Sequence, residues 1–389
     1  PESIGTDIPS NSNWDTYLGD NARTHYSPLT QITRNNVEQL ELAWSYDSGE
    51  LREGGSTMYT SPLVVDGVLY SLSPKLVAFA LNAATGEEIW RYDTGGNGAP
   101  QRGLMWWQEG NERRLIYAAG RELIALDAGN GEPVESFGED GRLDLRPSAD
   151  VGPFFTSVPG IVFENMLIMG FSTSESSTSH AGMIRAFDVR TGAEIWRFNS
   201  LPLTGGLGSD TWEEGALLNS GGANNWTGMT LDEERGMLFI PTGSATPDFY
   251  GASRKGDNLF ANSLVALDVH TGSYRWHYQT IRHDLWDRDL PSPPTLVQLE
   301  RNGVLVDGVA VTTKSGHLFL FNRDTGESLY DIYEVDGIAS TLPGEQAADS
   351  QPVSSVAFTR QEFEMTTRNQ EAIDHVTEVV APLDQRPWA

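Results

Sequence analysis

A seven-residue motif that recurs along the chain constrains its fold more than any other feature of the sequence. Each full copy runs from an alanine through an aspartate or asparagine to a Thr-Gly pair, and a tryptophan follows the glycine by four residues. The full copies are residues 80–86 with Trp90, 186–192 with Trp196 and 266–272 with Trp276. Two degenerate copies, at 125–131 and 320–326, carry Glu135 and Tyr330 at the tryptophan position. A motif repeated in this way predicts a fold built from repeated units.

The motif has the composition of a β-hairpin. Its aspartate or asparagine and its glycine suit a tight turn, since glycine adopts a positive φ without strain. The tryptophan then begins the next strand, from which it can pack against a neighbouring unit. Spacings of 45, 61, 80 and 54 residues separate the hairpin glycines, and β-rich runs such as 61–72 and 308–322 lie between them. We therefore predict an all-β fold, a β-propeller of tryptophan-docked four-stranded blades; the alternative is a set of chance hairpins in a β-sandwich.

The repeat stops after about residue 331. Residues 340–389 contain no further hairpin of this kind, and residues 362–380 have the pattern of one amphipathic helix. No linker marks a boundary before this region. We expect one propeller domain over residues 1–389, in which the irregular C-terminal segment 331–389 forms no complete blade.

Charge and cysteine content exclude several classes of function. The chain has 26 lysines and arginines against 54 aspartates and glutamates, a formal charge of −28, so we expect neither nucleic acid nor anionic lipid as a partner. The absence of cysteine excludes disulfides, thiol catalysis and cysteine metal sites. No apolar run approaches the roughly 18 residues of a membrane span. The chain begins at Pro1 without a leader, which we interpret as a mature or trimmed chain.

Several further segments, in order along the chain, resemble the quinoprotein alcohol and sugar dehydrogenases, eight-bladed enzymes that depend on pyrroloquinoline quinone (PQQ). The segments are Trp14, 26–29, Ile32, 43–44, 102–104, 225–226, 256–258 and 283–287. The resemblance runs from about residue 14 to about residue 352. The lack of a vicinal cysteine pair, together with Lys314, resembles the glucose, quinate and polyol branch more than the methanol dehydrogenases.

The resemblance implies a set of catalytic and metal-binding residues. Asp287 matches the catalytic aspartate, and Glu175 matches the metal-binding glutamate. Asp289 lies two residues after Asp287, and in an extended segment both carboxylates would share one face. Because two close carboxylates repel unless a cation separates them, Asp289 is a candidate additional metal ligand. The alternatives are a turn or salt-bridge aspartate for Asp287 and an exposed loop acid for Glu175.

The resemblance also implies contacts to the cofactor. Lys314 matches the cation beside the quinone oxygens, where an ammonium would stabilise the reduced quinol and assist catalysis. Arg102 matches the arginine that pairs with a PQQ carboxylate, and Trp226 matches the indole on which the PQQ ring stacks. Thr156, Ser157 and Ser172 fall where the family hydrogen-bonds the cofactor. A solvated lysine, a surface ion pair and blade core are the alternatives for Lys314, Arg102 and Trp226. His283, near the proposed base, is as well explained by a structural hydrogen bond as by a substrate contact.

Two departures from the family stand out. Where the family has a metal-binding asparagine, this chain has Ser244, a weaker ligand for a hard cation, so Asp289 or water would have to complete the coordination. The family also continues for about two more blades. The chain is therefore a fragment, closes differently, or pairs with a second chain or another copy of itself, since an unclosed propeller leaves unpaired strand edges.

Taken together, the residues and the resemblance predict a dehydrogenase that oxidises a sugar, polyol or other alcohol by hydride transfer to PQQ. The expected metal is Ca²⁺, with a lanthanide or Mg²⁺ as alternatives, and the electrons would pass to an external quinone or cytochrome. The expected location is periplasmic or secreted. The alternative function is a non-catalytic propeller scaffold of the bacterial envelope or a decayed quinoprotein.

Overall fold

The computed structural model describes residues 13–50, 55–95, 98, 100–147, 154–301, 303–359 and 365–380. Four antiparallel sheets of four strands follow one another along the chain, and in each sheet the strands pair in chain order. Sheet 1 contains β1 (Leu63–Val65), β2 (Val68–Leu72), β3 (Ala78–Asn82) and β4 (Glu88–Tyr92). Sheet 2 contains β5 (Met105–Glu109), β6 (Glu112–Ala119), β7 (Glu122–Asp127) and β8 (Arg142–Asp144). Sheet 3 contains β9 (Ile161–Phe163), β10 (Met166–Met169), β11 (Met183–Asp188) and β12 (Glu194–Asn199).

Sheet 4 and the shorter sheets complete the described strands. Sheet 4 consists of β14 (Thr230–Asp232), β15 (Met237–Pro241), β17 (Ser263–Asp268) and β18 (Tyr274–Gln279). Sheet 5 has three strands, β19 (Thr295–Arg301), β20 (Val304–Thr312) and β21 (Leu318–Asn322). Two-stranded pairs are formed by β13 (Gly221–Gly222) with β16 (Ala245–Thr246) and by β22 (Ile332–Asp336) with β23 (Ser350–Ser354). The predicted all-β fold is confirmed.

The hydrophobic core lies between successive sheets. One cluster joins β2 of sheet 1 to β7 of sheet 2 through residues such as Leu72 and Ile124. Further clusters join sheet 2 to sheet 3, sheet 3 to sheet 4, and sheet 4 to sheet 5. In sheets 2, 3 and 4, alternate strand residues thus bury one side of the sheet against the preceding sheet and the other side against the following one, as blades of a propeller do.

Each predicted docking tryptophan lies on the hairpin glycine of the following sheet. The indole nitrogen Nε1 of Trp90 donates to Ala128 O, that of Trp196 to Val269 O and that of Trp276 to Arg323 O, at 2.9–3.0 Å. These carbonyls all lie three residues before the hairpin glycine. A Cβ added at Gly131, Gly272 or Gly326 would stand within 2.7 Å of the indole that covers it. The docking between blades predicted from the repeat is confirmed for all three tryptophans.

Two further contacts extend this pattern. Trp44 docks in the same way on the hairpin of sheet 1, with Nε1 donating to Ala83 O at 3.1 Å and the ring against Gly86. Sheet 2 lacks the docking tryptophan of the repeat. In its place, Arg114 of β6 donates at 2.9 Å to Val189 O, the carbonyl to which the indole would otherwise donate. A buried guanidinium therefore replaces the indole hydrogen bond between sheets 2 and 3.

The C-terminal region holds one strand pair and one helix in its described part. The helix α1 spans Gln370–Val380 and begins later than the predicted residue 362, because Asn369 caps it: its Oδ1 accepts from the backbone N of Ala372 at 2.8 Å. Short 3₁₀ turns occur at Val37–Gln39, Ser209–Thr211 and Ala216–Leu218. No helix in the described ranges is long and apolar enough to span a membrane. Residues 360–364 and 381–389 lie outside the described part, so the absence of a complete blade from 331–389 stays a prediction.

Candidate active site

Seven of the residues predicted from the sequence border one cavity of about 260 Å³. They come from the loops that follow β10, β13, β15, β18 and β20, so the cavity lies where several sheets end on the same side. The complete lining is Phe155, Ser172, Thr173, Ser174, Glu175, Asn224, Trp226, Ser244, Thr246, Asp248, Asp287, Asp289 and Lys314. The fold thus brings together residues that are up to 142 positions apart, from Ser172 to Lys314.

Lys314 lies between the two predicted carboxylates. Its Nζ donates to Asp287 Oδ1 at 2.8 Å and to Asp289 Oδ2 at 3.2 Å. Burial raises the pKa of Asp287 above its usual value, although the hydrogen bond from Lys314 opposes that rise. Burial alone would lower the pKa of Lys314, but its bonds to Asp287 and Asp289 outweigh that effect and raise it. The cation that two close carboxylates require is therefore, in this structure, the ammonium of Lys314.

Trp226 forms a flat wall of the cavity and is flanked by cations. Its Nε1 donates to Asp289 Oδ2 at 3.0 Å. The guanidinium carbon of Arg102 lies 5.1 Å from the ring centroid, and Lys314 Nζ lies 5.7 Å from it. Arg102 is fixed through its backbone, which donates to Ser157 O and accepts from Ser61 N, both at 2.9 Å. Cations near an indole and a planar cavity wall suit an anionic aromatic ligand.

Ser244 is part of a buried hydrogen-bond network and is only 4% exposed. Its hydroxyl contacts Asp289 Oδ1 at 3.0 Å and is also bonded to Asp284 Oδ2, while Asn262 Nδ2 donates to it at 3.1 Å. Its backbone N donates to Asp289 Oδ1 at 2.6 Å. The serine therefore orients Asp289, and its role as a metal ligand stays a prediction.

Asp284 shapes the loop that carries Asp287. Its carboxylate accepts from the backbone N of Trp286 at 3.0 Å and from that of Arg288 at 2.6 Å. Asp287 itself has a φ of +54°, a left-handed conformation that costs energy for a residue other than glycine and is typical of functional sites. The neighbouring Trp286 does not shield Asp287 from water, because its side chain is 63% exposed.

The remaining predicted residues differ in how they relate to the cavity. Ser172 lines it and is held by a bond from its backbone N to Phe155 O at 2.8 Å. Thr156 is 1% exposed, and its hydroxyl donates to Val158 O at 3.1 Å. Neither Thr156 nor Ser157 is among the lining residues, so their contacts to a cofactor stay predictions.

Glu175 lines the cavity from an exposed, serine-rich loop. The neighbouring hydroxyls of Ser174 and Ser176 bond to each other at 3.1 Å, and Ser176 bonds to Thr178 at 3.0 Å. These hydroxyls therefore bond to one another and not to the Glu175 carboxylate. Among the described residues no donor binds the Glu175 carboxylate, so its oxygens are available to a cation.

Sequence reasoning missed Asp248, which lines the same cavity and is 5% exposed. Burial, together with the negative charges of Asp289, Glu175 and Asp287, raises its pKa to about 7. Its Oδ1 is buried without a hydrogen-bond partner among the described residues. In sequence, Asp248 follows directly after the turn at 242–247 that contains Ser244.

His283 proves to be structural. Its Nδ1 faces Gly256 O and its Nε2 faces Glu345 Oε1, both at 2.8 Å, and the two side chains are almost completely buried. The pair joins the loop between β22 and β23 to the segment that carries Asp287. It lies outside the lining of the cavity.

Comparisons with known proteins relate the chain to one family. The protein-family model described as the beta-propeller domain of glucose/ethanol/alcohol dehydrogenase, with the label PQQ, matches residues 14–381. The chain is 31% identical over 385 residues to the quinoprotein glucose dehydrogenase of Escherichia coli (strain K12), covering 90% of this chain and 47% of that protein. It is 29% identical over 380 residues to the glycerol dehydrogenase large subunit of Gluconobacter oxydans (strain 621H), covering 89% and 50%.

A solved structure shows the same fold. The quinohemoprotein alcohol dehydrogenase ADHIIG from Pseudomonas putida HK5 superposes with a TM-score of 0.74 at 28% identity, covering 88% of this chain and 51% of that one. The chain thus spans about half the length of the relatives that it matches.

Proposed function

This chain belongs to the family of PQQ-dependent glucose, ethanol and alcohol dehydrogenase β-propellers, and on that premise we propose that it is a PQQ- and metal-dependent dehydrogenase that oxidises a sugar, polyol or other alcohol. The observation that carries the proposal is the arrangement of Asp287, Lys314 and Trp226 around one cavity. It supplies a base, a cation and a flat aromatic wall within contact of one another. The relatives named as glucose and glycerol dehydrogenases support the substrate class.

The cavity residues fit PQQ, a planar aromatic quinone that carries carboxylates. Trp226 offers a ring on which such a molecule can stack, and Arg102 lies beside that ring. Within the described ranges the Arg102 guanidinium has no hydrogen-bond or ion-pair partner, so it is available to a carboxylate of the cofactor. Lys314 also lies beside the Trp226 ring, and its ammonium donates to Asp287. A quinone oxygen of PQQ bound against that ring would lie close to this cation.

The carboxylates and hydroxyls around the cavity also fit a hard metal ion, because such ions bind oxygen ligands. We propose Glu175 as the main ligand, with Asp289, Ser244 and Asp287 bordering the ion. In the described residues no three acids or histidines converge closely enough to form a ligand cluster, so these acids surround the cavity rather than meet at one point. Ca²⁺ suits a site of this chemistry, and Mg²⁺ or a lanthanide suits it as well.

The chain's own residues would divide the chemistry between them. Bound PQQ would accept the hydride from the carbinol carbon while the metal ion polarises its carbonyl group. Asp287, as the general base, would remove the proton of the substrate hydroxyl at a carboxylate oxygen. Lys314 would stabilise the negative charge that develops on the acceptor and keep Asp287 ionised. Glu175 would hold the metal, since a carboxylate bound to a cation is a poor base.

The proposal extends to partners and location, on the basis of the family resemblance. The electrons would pass to an external quinone or cytochrome, and the enzyme would work in the periplasm or outside the cell. The proposal also includes a partner chain. The relative from Gluconobacter oxydans is named a large subunit, which is consistent with a partner chain.

An absorbance titration tests the proposed function. PQQ is added to the purified protein with Ca²⁺ and separately with a lanthanide, and dye-linked oxidation of alcohols and sugars is measured. We expect a saturable change in the PQQ spectrum and activity that requires both additions. Trp226→Ala should abolish the spectral change, whereas the matched control Trp286→Ala, at an exposed indole outside the cavity lining, should preserve it. A wild-type protein that binds no PQQ with either metal would contradict the proposal.

A further inference from the structure

Asp248 is a buried carboxylate in the cavity to which the proposed chemistry gives no task. It lies in the loop after β16, is 5% exposed and contributes to the cavity lining. Its Oδ1 has no hydrogen-bond partner among the described residues. An acceptor buried in this way destabilises the fold unless a donor reaches it, so its presence points to a ligand that brings one.

The cation nearest in sequence does not neutralise Asp248 by pairing with its carboxylate. Arg254 is fully buried, and its guanidinium donates to Pro247 O, to the backbone O of Asp248 and to Asn258 Oδ1. It also donates to Asp284 O. These bonds fix the loop that carries Asp248 to the loop that carries Asp287. They hold the backbone of Asp248 in place and leave its Oδ1 without a donor.

A substrate is the ligand that suits this carboxylate best. Asp248 and Asp287 border the same cavity and are close enough for their charges to interact. A molecule whose reacting hydroxyl lies at Asp287 therefore has a second hydrogen-bond acceptor within the same cavity. Hydroxyl groups are the donors that such a substrate carries.

We propose that Asp248 accepts a hydrogen bond from a second hydroxyl group of the substrate and thereby makes the enzyme prefer polyhydroxylated substrates to monohydric alcohols. This inference rests on the proposed function and adds a specificity-determining residue to it. A substrate without the second hydroxyl leaves the buried Oδ1 of Asp248 unpaired, and sites built to bind a hydroxyl reject such analogues strongly.

The test compares two substrates that differ by one hydroxyl, 1,2-propanediol and 1-propanol, in the active assembly loaded with PQQ and Ca²⁺. We expect the wild type to prefer the diol in kcat/KM. Asp248→Asn should lower kcat/KM for the diol by roughly 3- to 10-fold, because a hydrogen bond to a charged carboxylate becomes a weaker bond to a neutral amide, and it should leave 1-propanol nearly unchanged. Asp210→Asn, at an exposed aspartate on a 3₁₀ turn, is the matched control and should change neither value.

Each other outcome overturns the inference in a recognisable way. If Asp248→Asn slows both substrates equally and also weakens Ca²⁺ binding measured by calorimetry without substrate, Asp248 is a metal ligand. If the wild type shows no preference for the diol, Asp248 does not select hydroxyls. If the wild type oxidises neither alcohol and binds no PQQ, the proposed function itself fails. Should Asp248→Asn not fold, as judged by thermal unfolding, Asp248→Ser takes its place, with the same expectations.

Discussion

The ammonium of Lys314 lies 2.8 Å from Oδ1 of Asp287, the residue that we propose as general base. Burial raises the pKa of Asp287, and the hydrogen bond from Lys314 opposes that rise. The lysine therefore keeps the base ionised at a pH at which burial would favour its protonation. Two side chains 27 positions apart thus act as one unit.

Replacing Lys314 with methionine should move the acidic limb of the pH–rate profile to higher pH. Without the ammonium the pKa of Asp287 rises further, and a base acts only when it is deprotonated. Activity at neutral pH should fall and recover in part as the pH is raised. The measurement is kcat/KM against pH, with Lys75→Met at an exposed lysine as the control. An unshifted profile with uniformly lower activity would refute the coupling.

The docking of tryptophans on hairpin glycines predicts a large difference between two glycine substitutions. Gly272 has a φ of +67°, and a Cβ there would lie 2.5 Å from the Trp196 ring; Gly67 has a φ of +79° and open space around it. Gly67→Ala should cost only the left-handed backbone penalty, about 1–2 kcal/mol of unfolding free energy. Gly272→Ala should lower the free energy of unfolding by about 1–3 kcal/mol more than Gly67→Ala does, because the Trp196 indole must move. Denaturant unfolding measures both, and equal losses would contradict the docking.

The buried pair of His283 and Glu345 predicts a pH-dependent stability. Burial would raise the pKa of Glu345, but the hydrogen bonds from His283 and from the backbone N of Gly251 and Gln346 outweigh it and lower that pKa. A carboxyl whose folded pKa is lowered stabilises the protein above its unfolded pKa, about 4.3, and loses this effect as the pH falls through the folded value. Glu345→Gln should therefore lower the free energy of unfolding by about 1–3 kcal/mol at pH 7 and by progressively less below about pH 4.3.

Denaturant unfolding of Glu345→Gln against wild type at pH 7 and at acidic pH measures this difference. Glu327→Gln, at an exposed hairpin residue, serves as the control and should show little effect at either pH. A destabilisation that is the same at both pH values would show that the charge of Glu345 does not contribute.

The fold was largely predictable because its signal is local and repeated. The Asp-to-Gly hairpin and the tryptophan four residues later lie within eleven residues, as in 186–196, so each copy carries its own turn and its own docking side chain. The replacement of the docking tryptophan of sheet 2 by Arg114 was not predictable, because Arg114 reaches Val189 O from a different strand, 75 positions away. Trp44 lacks a preceding motif of its own, and only the contact with Gly86 reveals its role.

The site was predictable to the extent that the family resemblance placed its residues, since seven of them border one cavity. The identity of the cation between Asp287 and Asp289 was not predictable. The spacing of the two acids indicates that a positive charge is required, but it does not indicate that a lysine supplies it. Asp248 was missed for a related reason. An acid after a Thr-Pro turn has an ordinary surface pattern in sequence, and only its burial among other acids distinguishes it.

Glu175 should control metal affinity rather than proton transfer. It lines the cavity from an exposed loop in which the neighbouring hydroxyls bond to each other. Glu175→Gln should weaken metal binding by at least roughly 10- to 100-fold, the loss typical even of residues that only support metal ligands. Activity should recover in part with excess metal. Calorimetric titration with Ca²⁺ measures the affinity, and Glu214→Gln at an exposed acid is the control. Unchanged affinity would remove Glu175 from the metal site.

The most direct test of the account is the Asp287→Asn variant in the active assembly. The amide keeps the shape of the side chain and can remain near Lys314 but cannot accept the substrate proton. We expect PQQ and metal to bind nearly as in the wild type, as followed by the PQQ spectrum, while dye-linked turnover of sugars and alcohols falls by about 100- to 10,000-fold. An Asp287→Asn protein that retains full dehydrogenase activity would contradict the assignment of Asp287 as the general base.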